Sequence, residues 1–73
     1  MFKYVNDGGE FNIATPHEMP KHEILEQTAN FTHNRFTYSN GWVLETIVEP
    51  SKITFISNVE LVKKEDGKYH PKF

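Results

Sequence analysis

The sequence predicts an α+β fold: a small twisted antiparallel sheet or partial barrel of four to six short strands with one helix, in the order ββαββ(β)β. Three observations predict it. Asn40-Gly41 stands between two runs of alternating apolar residues, the strongest short hairpin signal. Asp7-Gly8 and Asp66-Gly67 are two further turn signals. One segment alone, Pro20 to Asn30, spaces its residues as a helix does.

The elements follow in order. Met1–Val5 and Glu10–Ala14 read as short strands, with Phe11 and Ile13 alternating against Glu10 and Asn12. Between them, Asn6-Asp7-Gly8-Gly9 supplies residues for which positive φ is cheap, so the two are expected to form a hairpin. Pro16 and Pro20 then interrupt the pattern. Pro20 suits the first turn of a helix, where its missing N–H costs nothing. Ile24, Leu25, Thr28 and Ala29 would share one face of that helix, with Glu23, Glu26 and Gln27 outside it. Asn30 and Asn34 suit its exit. The Arg35–Val48 stretch is the clearest hairpin. Trp42, Leu44, Thr46 and Val48 lie on one strand face. Val43, Glu45, Ile47 and Glu49 lie on the other, whose two glutamates predict contact with water. Pro50 presets a corner. Ile53–Ser57 and Val59–Lys63 follow as strands, and Asp66-Gly67 turns the chain into its last segment. Residues 63–73 read as a basic C-terminal tail or edge strand of a single domain spanning 1–73.

Seventy-three residues allow one domain and one small core. A chain this short buries only about 60% of its unfolded surface, and natural proteins of this size often add disulfides, a metal or a second subunit. There is no cysteine, which excludes disulfides, thiolate ligands and cysteine nucleophiles. That fits a reducing compartment. A small core with open sheet edges makes a homodimer the expected support. Aromatic residues make up 14% of the chain, which argues for a packed core over disorder. No signal peptide is visible and no apolar run is long enough to span a membrane, so a cytoplasmic location is expected. Asn30-Phe31-Thr32 spells a glycosylation sequon, read as coincidence in that context.

The net charge of −2 is unevenly spread. Residues 1–60 carry eight acids against four bases, and residues 61–73 carry four lysines against two acids. An acidic body of this kind repels nucleic acid and attracts basic surfaces.

The densest cluster of chemistry-bearing residues is His17-Glu18-Met19-Pro20-Lys21-His22-Glu23. A zinc-binding helix needs histidines four apart. His17 and His22 are five apart, roughly 140° around a helix, and Pro20 lies between them. No metal site is expected. Glu45 and Glu49 share a strand face about 13 Å apart, beyond the roughly 5–9.5 Å of glycosidase pairs. No nucleophile elbow or Gly-rich phosphate loop is present. The chain therefore reads as a non-enzyme with no cofactor and no catalytic residue.

Two binding functions remain. Arg35, Phe36, Tyr38 and Trp42 interleave a base with aromatics around one hairpin. With Lys63, Lys64, Lys68 and Lys72 they could bind single-stranded nucleic acid by stacking and phosphate contact. The preferred expectation is a protein-binding module acting through its acidic surface. Glu18, Glu23 and Glu26 would carry the docking, and an apolar interface centred on Phe36, Tyr38 and Trp42 is the competing version. Residues with AT-rich codons are plentiful, and the chain, starting at Met1, reads as a complete small frame. That style is shared by small bacteriophage proteins that bind and redirect host machinery. The partner expected on these grounds is a host protein that handles DNA or RNA, met in the host cytoplasm.

Overall fold

The computed structural model describes residues 1–9 and 11–73. Among them the chain is all sheet. Its strands are β1 (Phe2–Asn6), β2 (Lys21–Gln27), β3 (Thr32–Thr37), β4 (Val43–Val48), β5 (Ile53–Ser57), β6 (Leu61–Lys63) and β7 (Tyr69–Pro71). The first five form one antiparallel sheet in the order β1-β5-β4-β3-β2, and β6 and β7 form a two-stranded hairpin. No described helix is long and apolar enough to cross a membrane.

The α+β expectation is therefore corrected. The segment expected as a helix is strand β2, paired along its length with β3. The reason is local as well as tertiary. Thr28 turns its side chain onto the backbone: its Oγ1 accepts the N–H groups of Asn30 and Phe31, each at 3.1 Å. Thr28 N–H also donates to the Phe31 carbonyl at 2.9 Å. This side-chain turn competes with helix and closes a hairpin instead. A helix of this length gains its stability from a buried face, and the residues here would supply little: Ile24 is 57% exposed and Leu25 39%. The ladder slips between Ile24 and Glu26, so Leu25 is the extra residue of a bulge.

The expected hairpin of the first two strands is also corrected. β1 pairs with β5, Phe2 opposite Ser57, across almost the whole chain. Of the stretch expected as a second strand, Glu10 lies outside the described residues. Phe11 to Ala14 crosses over the sheet and makes a parallel bridge at Ile13–Tyr69. Within residues 63–73, expected as a basic tail or edge strand, Tyr69–Pro71 pairs with Leu61–Lys63.

The Asn40-Gly41 hairpin forms as a three-residue loop. Gly41 N–H donates to the Tyr38 carbonyl at 3.1 Å and Tyr38 N–H to the Trp42 carbonyl at 2.9 Å. Gly41 sits at φ +92°, which only glycine adopts freely. Asn40 Oδ1 accepts Trp42 N–H at 2.9 Å. The same loop recurs at Lys64–Lys68, with Gly67 at φ +80° and Asp66 Oδ1 accepting Lys68 N–H at 2.9 Å.

The core lies on one face of the five-stranded sheet. Trp42 is fully buried, and Tyr38, Leu44 and Leu61 are nearly so. The lid over this face is the β6–β7 hairpin with the 11–14 crossing. Phe11 stacks on Tyr69 at 4.4 Å and on Phe55 at 5.1 Å. Tyr4 Oη accepts Leu61 N–H at 2.9 Å, tying lid to sheet. Trp42 Nε1–H donates to Ser57 Oγ at 3.0 Å. Ser57 Oγ–H donates in turn to the Val59 carbonyl.

Truncating Trp42 to alanine should cost about 3–5 kcal/mol, enough to unfold most of a marginal domain. Ser57→Ala should cost about 1–3 kcal/mol, because it leaves the buried indole N–H without its acceptor. Urea denaturation followed by circular dichroism reads both, since Trp42 is the single tryptophan of the chain, with Ser57→Ala retaining a cooperative transition at lower midpoint.

Candidate functional site

Side chains alternate across a strand, so the register assigns each residue to a face. One face holds the core. The other is open, because the lid and the 11–14 crossing pack on the first. Two cross-strand rows define this open face. One runs Lys3, Ile56, Glu45, Arg35, Glu23 from β1 to β2. The next runs Val5, Thr54, Ile47, His33, Glu26. The β1 half thus mixes Val5 and Ile56 with Lys3 and Thr54, and the β2 half is charged.

Glu45 departs from its expected contact with water: it is only 8% exposed. β4 is the middle strand, and neighbouring side chains close over it from both sides. Its carboxylate is matched there. His33 Nε2 lies 2.7 Å from Glu45 Oε1, and Arg35 Nε lies 3.7 Å from Oε2. A carboxylate only accepts, so the hydrogen of that short bond sits on His33 Nε2. Glu23 and Glu26 stand beyond this group at the sheet edge, opposite Arg35 and His33. Among the described residues neither forms an ion pair. Glu18 is exposed and accepts Ser39 Oγ–H at 2.7 Å and Ser39 N–H at 3.3 Å, so it fastens the β1–β2 connection to the hairpin tip.

The aromatic candidates lie elsewhere. Tyr38 and Trp42 stack on each other at 5.0 Å inside the core, and neither ring has a free face. Burial, and then the charge of Glu18, push the Tyr38 hydroxyl pKa up. Phe36 is half-buried under the His22 ring, 4.6 Å away and nearly parallel. His22 Nε2 is 2.9 Å from Asn34 Oδ1. Lys63, Lys64 and Lys68 are exposed on the lid hairpin. They sit on the side of the sheet opposite to Arg35, so the four basic candidates do not form one patch.

Among the described residues no three of histidine, aspartate and glutamate stand close enough to hold a metal ion. Among the described residues, shallow depressions of about 310 Å³ lie beside Gly8 and Ser51 and of about 350 Å³ between Pro16 and His70. Neither is lined by a paired acid and base of catalytic type. No family model matches the chain, and neither does any curated protein or solved structure.

The Glu45 cluster was not found from the sequence, although one signal for it was present. A three-residue loop ending on Gly41 sets Arg35 opposite Glu45. Removing the carboxylate by Glu45→Ala should cost about 1–2 kcal/mol, because His33 and Arg35 can partly rehydrate. The same change at Glu49 should stay within about 0.5 kcal/mol. Paired denaturation curves compare them. A pH effect follows from Tyr38. Its raised folded-state pKa means that its contribution is complete below about pH 10, the unfolded value, and is lost as pH rises beyond it. In Tyr38→Phe, alkaline denaturation midpoints should show a shallower decline above that pH.

Proposed function

We propose that the chain is a non-enzymatic protein-binding module that receives a basic partner surface on the acidic side of its open sheet face. The observation that carries this reading is the placement of Glu23 and Glu26. They share one face at a sheet edge, and no described cation is paired with either. Glu45, by contrast, has Arg35 and the His33 ring as partners within the domain. Glu18 adds a third carboxylate, exposed at the hairpin tip. A protein groove built for phosphates offers the matching positive charge, which makes a protein that handles DNA or RNA the expected partner class.

Direct binding of single-stranded nucleic acid is the weaker reading. It needs exposed rings beside a basic track. Tyr38 and Trp42 are buried, and Arg35 lies across the sheet from the lysines.

The test is affinity capture from bacterial lysate with and without nuclease, using the wild type and an E18K/E26K variant. One stoichiometric protein retained after nuclease, and reduced at least tenfold by the variant at unchanged circular dichroism, supports docking through the carboxylates. Capture that vanishes with nuclease would reverse the choice between the two readings.

A further inference from the structure

The outer edge of β2 is unpaired among the described residues: its ladder runs to β3 alone. Exposed sheet edges pair with other strands unless they are blocked. Here the blocks are partial. Pro20 precedes the strand and the bulge at Leu25 interrupts it, leaving Lys21 to Ile24 as a regular segment. Exposed apolar side chains crowd this edge, with Met19 at 94% and Ile24 at 57%.

We infer that a second copy of the chain occupies this edge, β2 pairing antiparallel with β2 about a two-fold axis through His22. The charge pattern carries the inference. The row across the open face alternates in sign from Glu45 to Arg35 to Glu23 and ends on an anion at the free edge. In an antiparallel pair, residues directly opposite share a face. A two-fold at His22 sets Glu23 opposite the copy's Lys21, and Lys21 opposite the copy's Glu23. The alternation then continues across the junction, with both pairs on the open face. The axis cannot move by one step along the strand without loss. Centred on Lys21 it sets lysine against lysine, and centred on Glu23 it sets glutamate against glutamate. Directly opposed like charges destabilise a strand pair. Isologous pairing of this kind closes as a dimer and leaves no further β2 edge to propagate. The ladder is short, which places the interface at the weak end of specific association.

This pairing shares Glu23 with the proposed docking, so E18K/E26K tests the docking at positions outside the Lys21–Glu23 ladder. Sedimentation equilibrium over a concentration series reads it directly. The wild-type mass should rise from 8.5 kDa towards twice that value at high micromolar to millimolar concentration. K21E alone and E23K alone should each weaken self-association at least tenfold, because each sets like charges together on both sides of the axis. An equimolar mixture of the two variants should restore it, since each copy then meets the opposite sign. The double variant K21E/E23K should also associate like wild type. Wild-type mass constant at 8.5 kDa throughout would overturn the inference. So would single variants that associate unchanged, or a mixture that stays monomeric while both variants retain the wild-type circular dichroism spectrum.

Discussion

The indole of Trp42 is the piece around which the rest of this structure is arranged. It is the largest side chain in the molecule and is fully buried, in a domain where most residues keep some contact with water. Burial of an indole requires an acceptor for its N–H. Ser57, at the far end of the neighbouring strand, supplies it and is itself fully buried. That one bond fixes how the start of β4 meets the end of β5. Asn58 reinforces the junction, accepting Val43 N–H on its Oδ1 and donating to the Gly41 carbonyl. With the hairpin tip and the β5 exit locked together, β6 leaves in a direction that carries Leu61 over the indole. The lid, and therefore the division into a covered and an open face, follows from that exit.

How much of this was legible in the sequence depended on whether the deciding signal was local. The β3–β4 hairpin was, because Asn40-Gly41 and the alternation around it speak for the same structure. The loop length was less plain. A two-residue turn on Asn40-Gly41 would have shifted every pair by one and put Arg35 opposite Thr46. The three-residue loop puts it opposite Glu45, which creates the charged cluster. β2 was misread because Glu, Lys, Gln and Leu favour helix when judged alone. The Thr28 side-chain turn and a partner strand outweigh that preference. The β1–β5 pairing was invisible for a different reason: its partners are about fifty positions apart, and nothing in either segment names the other.

Of the residues the sequence marks as binding candidates, the acids and the aromatics separate by face. Glu23 and Glu26 reached the open face, while Tyr38 and Trp42 turned into the core. Period-two alternation dictates that outcome once a single residue is anchored. The apolar row of Trp42 and Leu44 claims the covered side, so Glu45 must take the other. The same parity brings Arg35 and His33 to it, and the carboxylate is neutralised within the domain rather than by water.

The pairing of β1 with β5 also sets an order of assembly. Strands β2 to β5 form a meander of short connections that can zip locally. β1 must wait, since its partner β5 is the last strand of that meander, and so must the lid, because Leu61 and Tyr69 follow β5. Closing such distant contacts is slow, as loop-closure entropy must be overcome before the contacts reward it. While the chain is being synthesised, the side of the meander that will bear Trp42 and Phe55 stays uncovered until the final dozen residues emerge. Strand β1 thus finds its place only after β5, about fifty positions further on, has been made.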